Sequence, residues 1–171
     1  MKIPVVCVVG KSGTGKTTFL EKLIAELKRR GYRVGTVKHN VHDFEVDRPG
    51  KDSWRHARAG SDVAVITSPV KLAMIERLGR ELTLDEVTAR VTGVDIILVE
   101  GYKRSNKPKI EVSRREMGHE LVSTLDELLA VVTDRPFELD VPQFEPHDAT
   151  GVASLLEARF LKSEGEWAGA E

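Results

Sequence analysis

Eight residues near the amino terminus, written GKSGTGKT, constrain the fold more than any other part of the chain. They run from Gly10 to Thr17 and match the pattern Gly-x-x-x-x-Gly-Lys-Thr of phosphate-binding loops, or P-loops. Glycines in such a loop let backbone N–H groups turn inward and surround phosphate oxygens. The loop needs a buried strand before it and a helix after it, because the helix N-terminus adds its positive dipole end.

The residues on both sides of this loop fit that arrangement. Before it, Ile3 to Val9 is β-branched and continuously apolar, as expected for a strand covered on both faces. After it, residues 17–30 form one apolar helical stripe, made of Phe19, Leu20, Leu23, Ile24 and Leu27. Gly31 can then end the helix in the left-handed conformation. The sequence therefore predicts a strand, a P-loop and a helix in that order.

We expect this loop to bind a nucleotide together with Mg²⁺. The candidate binding residues are Gly10, Lys11, Ser12, Gly13, Thr14, Gly15, Lys16, Thr17 and Thr18. Lys16 should reach the β and γ phosphates, and the Thr17 hydroxyl should bind Mg²⁺. Two interpretations of Lys11 stay open. It is either an ordinary exposed lysine or similar to the signature lysine of the deviant P-loop class, in which a dimer partner's lysine reaches the nucleotide.

The rest of the chain alternates between strand and helix patterns. Further strands are predicted at Arg33–Lys38, Val63–Thr67, Ile96–Val99, Lys109–Val112 and Ala130–Thr133. Further helices are predicted from Ser53 as a cap to Gly60, from Thr83 to about Val91, and over Asp148–Leu161. Leu72, Met74 and Ile75 fit either a strand or a helix. This order predicts one domain over residues 1–171, with a frayed tail at 162–171, in the three-layer α/β P-loop NTPase fold with a mainly parallel sheet.

A P-loop needs a second acidic group for Mg²⁺ and water, usually at the end of an apolar strand. Glu100 ends the strand Ile96–Val99 and is the predicted second metal ligand beside Thr17. Asp95 starts the same strand and should lie far from the phosphates. A glutamate is atypical at a position where aspartate is commoner.

The polar segment from Lys38 to Ser53 is the other concentration of reactive side chains. It follows the second strand, so it should emerge at the sheet edge that carries the P-loop. We expect Lys38 and His39 to contact the nucleotide, and Asp43, Asp47 or Asp52 to orient water. The alternatives are a transition-metal site built on His39-x-x-His42 and acids, or a solvated polar loop. No cysteine accompanies the histidines, which argues against the metal site.

Base recognition and cell location depend on weaker signals. Asp134 follows a predicted strand, where its carboxylate could accept two hydrogen bonds from guanine but not from adenine. The motifs alone do not decide between GTP and ATP. A net charge of -1 gives no electrostatic reason to expect nucleic acid or a membrane. One cysteine, Cys7, excludes an internal disulfide and favours a reducing cytoplasm.

These motifs together resemble the MobB family of molybdopterin-guanine dinucleotide biosynthesis proteins. The resemblance spans about residues 3–135. Beyond Gly10–Thr17, the matching elements are Gly35–His39, Asp43, Asp47, Gly50–Ser53, Leu98–Lys103 and Pro108–Val112. The Lys-His loop and the Val-Glu-Gly-Tyr-Lys segment appear in order and make the match specific.

The resemblance implies a GTP-binding homodimer that is at most a weak Mg²⁺-dependent GTPase. It implies an adapter role in attaching GMP to molybdopterin, with the nucleotidyl transfer carried out by a MobA-like guanylyltransferase. Molybdopterin itself is a further possible ligand, for which Lys103, Arg104, Lys107 and Lys109 offer cations. The alternatives are a metallochaperone GTPase, which usually shows a His-rich or Cys-containing metal motif, and a small-molecule kinase, which usually has an arginine-bearing lid.

Overall fold

The computed structural model describes residues 2–40, 44–118 and 120–162. The chain divides into two compact units, one made of Met1–His39 and Leu84–Glu171 and the other of Asn40–Thr83. The single domain expected over residues 1–171 stays a prediction. The predicted tail, apart from Lys162, lies outside the described residues.

A six-stranded sheet organises the larger unit. Its strands are β1 (Val5–Val9), β2 (Val34–Lys38), β5 (Ile96–Glu100), β6 (Lys109–Val112), β7 (Leu128–Val132) and β8 (Gln143–Phe144). Their order across the sheet is β2-β5-β1-β6-β7-β8. Every neighbouring pair is parallel. The predicted α/β fold with a mainly parallel sheet is therefore confirmed. The two-residue strand β8 was missed because so short a segment has no periodicity.

Helices cover one face of this sheet in a continuous core. Alternate residues of β1, such as Val6 and Val8, pack with α1 (Lys16–Arg29) and α4 (Ala149–Leu156). The helix α1 contributes Phe19 and its neighbours along the predicted stripe. Full burial of each large apolar side chain stabilises the fold by about 1.5–3 kcal/mol. The apolar stripe of α1 therefore packs this helix against the sheet, immediately after the P-loop.

The opposite face of the sheet is covered by a thinner layer. The buried residues here include Cys7, whose thiol pKa is raised mainly by burial. The short helix α3 (Leu84–Thr88) packs Leu84 against this face. Tyr102 adds part of the cover. Cys7 is thus a core residue, as its apolar surroundings predict.

Helix ends follow the expected chemistry in the larger unit. Gly31, at φ 92°, follows the end of α1 in the left-handed region. Asp148 caps α4 by accepting a hydrogen bond from the backbone N–H of Gly151 at 2.8 Å. A π-helical turn at Glu157–Leu161 continues α4, so the predicted final helix extends as expected but changes its hydrogen-bond pattern.

The smaller unit contains one helix and a β-hairpin. Its elements are α2 (Asp52–Arg58), β3 (Val63–Ser68) and β4 (Lys71–Glu76), and β3 pairs with β4 in antiparallel fashion. The ambiguous residues around Met74 are therefore in a strand. The predicted third strand exists, but it belongs to this separate hairpin. Ser53 is not the helix cap: Lys51 occupies that position without a side-chain cap bond.

One surface of the hairpin is apolar and open. Val65 faces its cross-strand partner Met74, and Thr67 faces Leu72. The side chains of Val65, Met74 and Leu72 are 53, 54 and 66 % exposed. Neither strand has a further strand neighbour among the described residues. In the same described part of the chain, no helix combines the length and hydropathy needed to cross a membrane.

Candidate functional site

The P-loop connects the carboxyl end of β1 to the start of α1. Gly10 opens it at φ 144°, and a Cβ built there would lie 2.2 Å from the carbonyl oxygen of Val112 on β6. A hydrogen bond inside the loop stabilises its turn: the buried hydroxyl of Thr14 donates to the carbonyl of Lys11 at 3.0 Å. Only glycine fits the first position, because a side chain would collide with a neighbouring strand.

Lys16 lies folded over its own loop. Its Nζ donates to the carbonyl oxygen of Lys11 at 2.7 Å. The pKa of Lys16 is lowered, first by burial, with Glu100 opposing the shift and the cations Lys103 and Lys38 adding to it. An anion in the loop would relieve this lowering, since it favours the charged ammonium.

A carboxylate stands beside the first turn of α1. The Thr17 hydroxyl donates to Oε1 and Oε2 of Glu100, each at 3.0 Å. Lys38 Nζ lies 3.5 Å from Oε1 of the same group. The strand registers explain the meeting, because Glu100 pairs with Val8 of β1 and with Lys38 of β2. A hydroxyl and a carboxylate are hard oxygen ligands, so this pair fits Mg²⁺.

The predicted nucleotide contact His39 is held by the end of β5. Its backbone N–H donates to the Glu100 carbonyl at 3.0 Å, and its ring stacks on Tyr102 with centroids 4.2 Å apart. Tyr102 has φ 51°, an arrangement that costs a non-glycine residue roughly 1–3 kcal/mol. In the sequence Tyr102 is marked only by its place in the Val-Glu-Gly-Tyr-Lys segment, which predicts no contact with His39.

Asp134 lies just past the end of β7, at the same sheet edge as the P-loop. Its Oδ1 accepts the backbone N–H of Arg115 at 2.9 Å, and its side chain is exposed. Each carboxylate oxygen can accept two hydrogen bonds, so capacity for a base remains. The guanine-reading role of Asp134 stays a prediction.

Two of the predicted water-orienting acids, Asp47 and Asp52, lie in the described part of the smaller unit. Asp43 lies outside the described residues. Asp47 Oδ1 accepts the backbone N–H of Arg48 at 2.9 Å, and Asp52 is the first residue of α2. No group of three or more His, Cys, Asp or Glu side chains able to hold a metal occurs in the described part of the chain. His42, half of the alternative metal motif, is also outside it.

Two lysines of the basic segment at the start of β6 are paired with carboxylates of the protein, which makes them less available to a ligand than the sequence suggests. Lys109 is fully buried, donates to the Ser105 carbonyl at 2.6 Å and forms an ion pair with Glu127. Lys107 forms an ion pair with Asp85 at 2.6 Å. These two lysines are therefore not free cations for a pterin phosphate.

The chain after β6 is anchored by a buried carboxylate. Glu111 is 1 % exposed and accepts the backbone N–H groups of Val122 and Ser123 at 2.7 and 3.0 Å. A turn at Arg115–Met117 lies between these anchor points. Met117 lies against the P-loop, since its carbonyl accepts from Lys11 Nζ at 3.0 Å. Sequence reasoning gave Met117 no role, because nothing in the local pattern marks this contact.

Comparison with known proteins agrees with this geometry. A sequence model of the family described as molybdopterin guanine dinucleotide synthesis protein B, MobB, matches residues 5–134. The chain belongs to the MobB family. Two relatives align with this chain over most of both sequences. The molybdopterin-guanine dinucleotide biosynthesis adapter protein of Escherichia coli is 38% identical, over 95% of this chain and 97% of its own. The Haemophilus influenzae protein of the same name is 37% identical, over 91% and 89%.

Solved MobB structures share the fold. The Bacillus subtilis MobB structure aligns with a TM-score of 0.75 and 28% identity, covering 95% of this chain and 100% of that one. A second structure, of molybdopterin-guanine biosynthesis protein B, aligns with a TM-score of 0.70 and 27% identity over 90% and 98%. The MobB assignment therefore holds for the fold as well as the sequence.

Proposed function

We propose that the protein is a GTP-binding adapter in molybdenum cofactor biosynthesis, assisting formation of molybdopterin guanine dinucleotide. The observation that carries the proposal is the contact between Thr17 and Glu100 beside the P-loop, in a chain that belongs to the MobB family. The adapter names of the E. coli and H. influenzae relatives support the pathway.

The ligand of this site is GTP with Mg²⁺. Backbone N–H groups of Gly10–Thr18 and the Lys16 ammonium would bind the phosphates. Thr17 and Glu100 would hold Mg²⁺, which neutralises phosphate charge when bound. Lys38 and His39, at the end of the neighbouring strand, border the same edge. Asp134 would read guanine.

Hydrolysis is a secondary activity in this proposal. Asp43, Asp47 and Asp52 are the candidates to orient water, and the sequence motifs of the site contain no catalytic glutamine. We therefore expect turnover below roughly 1 s⁻¹, the lower end of usual enzyme values. A purified protein that hydrolyses GTP faster than this would be an enzyme in its own right.

In this proposal the protein is a homodimer of two identical chains. Its partner enzyme is a MobA-like guanylyltransferase, and both act in the cytoplasm, where GTP is available. The apolar hairpin face supports the homodimer, because a second hairpin packed face to face could cover Val65, Leu72 and Met74. The double variant Val65→Lys, Leu72→Lys should lower the mass measured by analytical ultracentrifugation to that of one chain. Val70→Lys, at the exposed hairpin turn, is the control and should leave the mass unchanged.

Nucleotide binding is tested by calorimetric titration of GTP, ATP and divalent metals, with and without the guanylyltransferase. Lys16→Ala should abolish GTP binding, because it removes the cation that contacts the β and γ phosphates. Lys22→Ala, six residues further along α1 and exposed, is the matched control. Unchanged GTP affinity in Lys16→Ala would refute the site. Stronger binding of ATP than GTP would remove Asp134 from its role.

A further inference from the structure

We propose that Arg114 is a phosphate-binding residue of the nucleotide site, supplied by the turn that follows β6. This inference rests on the proposed nucleotide binding at the P-loop. Nothing in the P-loop pattern points to Arg114, because it lies almost a hundred residues further along the chain. Its position comes from the sheet order, which makes β6 the direct neighbour of β1.

The guanidinium of Arg114 lies against the P-loop. A Cβ built on Gly15 would be 3.5 Å from Nη2 of Arg114, so the group lies beside the last glycine before Lys16. Nη1 donates to the carbonyl of Ser113 at 3.0 Å, which fixes the orientation of the plane. Gly15 immediately precedes the residues whose side chains should bind phosphate and Mg²⁺.

The charge of Arg114 has no paired carboxylate in the described part of the chain. Among residues 2–40, 44–118 and 120–162, no carboxylate pairs with it, and its one hydrogen bond uses a single donor of the five that arginine carries. The side chain is half-buried. A half-buried guanidinium with spare donors beside a phosphate loop is suited to bidentate contact with phosphate oxygens.

The nearby cations are engaged differently. Lys11 Nζ donates to the Met117 carbonyl and lies 3.9 Å from Glu120. The side chain of Arg115 is exposed. Arg114 is therefore the arginine of this turn that combines a position beside the loop, partial burial and free donors.

The backbone that carries Arg114 is held in place. The N–H of Ser113 donates to the Val132 carbonyl at 2.9 Å, and Asp134 holds the N–H of Arg115. Both bonds go to the end of β7, one from each residue that flanks Arg114, and they reduce the ordering needed when phosphate binds. Preorganisation of this kind increases affinity.

The closing experiment measures binding of GTP, and of inorganic tripolyphosphate, to the whole chain by calorimetry. The variants are Arg114→Ala, Arg114→Gln and Arg114→Lys, where glutamine keeps a donor for the Ser113 carbonyl. Arg135→Gln is the control, since this exposed arginine lies at the same sheet edge. Thermal unfolding without ligand checks that each variant is folded.

We expect Arg114→Ala and Arg114→Gln to weaken both ligands about tenfold or more, the usual effect of losing a hydrogen bond to a charged group. Arg114→Lys should recover part of the loss, and Arg135→Gln should stay within about twofold of wild type. The wild-type affinity should also fall more steeply with salt than that of Arg114→Gln.

Two results would overturn the Arg114 proposal, and a third would overturn only the nucleotide proposal. If Arg114→Gln binds both ligands within about twofold of wild type while Lys16→Ala has lost them, the P-loop binds phosphate without Arg114. If wild type binds tripolyphosphate but not GTP, the nucleotide proposal fails, and the tripolyphosphate series still decides the role of Arg114. A wild type that binds neither ligand refutes both proposals.

Discussion

Replacing Gly10 with alanine should damage both the stability and the binding site, for a reason that the structure makes quantitative. The added Cβ would lie 2.2 Å from the Val112 carbonyl oxygen, on a backbone at φ 144°. The oxygen belongs to the backbone of β6, so no flexible side chain can move aside. Either β6 or the start of the P-loop must shift by nearly an ångström.

Two costs add in this substitution. An alanine held in a backbone region that only glycine favours costs roughly 1–3 kcal/mol. Forcing an extra carbon into a packed region costs roughly another 1–3 kcal/mol. We therefore expect the free energy of unfolding to fall by about 2–6 kcal/mol. For a chain of this length, that corresponds to a decrease in melting temperature of about 4–24 °C.

Two other glycines separate these costs. Gly31 has φ 92° and no atom within 4 Å of a built Cβ, so Gly31→Ala measures backbone strain alone. Gly79 has open space and no positive φ, so Gly79→Ala measures neither cost. Urea unfolding followed by circular dichroism gives the free energy of unfolding for all three variants.

The expected order is a large loss for Gly10→Ala, about 1 kcal/mol for Gly31→Ala and a change within 1 kcal/mol for Gly79→Ala. GTP affinity should decrease only in Gly10→Ala, because the shift displaces the first residue of the loop. The reasoning is refuted if Gly10→Ala and Gly31→Ala lower the free energy of unfolding equally, since the collision with β6 would then cost nothing.

Three further outcomes follow from buried or paired carboxylates. Glu111→Gln replaces one acceptor with a donor beside two backbone N–H groups and should lower the free energy of unfolding by roughly 2–4 kcal/mol in urea titrations. Hydrogen bonds from Arg29 and then Arg30 lower the pKa of Glu26 from 4.5 to about 2. Its stabilisation is therefore complete above pH 4.5 and lost as the pH falls toward 2, and Glu26→Gln should flatten the stability profile in that window. Glu100→Gln should weaken GTP binding in Mg²⁺ but not in EDTA, as measured by calorimetry; equal losses in both would contradict its metal role.

The sequence predicts those parts of the fold whose residue pattern is complete within one short segment. The P-loop, the stripe of α1 and the apolar strand before Glu100 each occupy one short window, and each forms close to its predicted bounds. The hairpin shows the limit of such patterns. In the sequence, Val63–Thr67 is one more predicted strand, because β-branched residues fit any pleated surface. Only its pairing with Lys71–Glu76 removes it from the main sheet.

The contacts around the loop depend on strand order, which no local pattern encodes. Arg114 and Met117 reach the P-loop because β6 is placed beside β1, while β5 fills the other side. The same order explains the buried Lys109, which looks like part of a solvated basic loop until Glu127 is brought against it. Counting basic residues in one segment of the sequence therefore overestimates how many unpaired cations lie near a site. It also misses the cations that another strand places there.

At position 100, the place of the β5 end relative to α1 determines which acidic side chain reaches Thr17. Aspartate is commoner at this position, and the sequence gives no reason for the longer side chain. In the structure both carboxylate oxygens reach the Thr17 hydroxyl at 3.0 Å, and Oε1 also lies 3.5 Å from Lys38. An aspartate is one methylene shorter and would withdraw both oxygens toward β5. The glutamate is therefore matched to the distance between this strand end and α1, and the length of the side chain is part of the site.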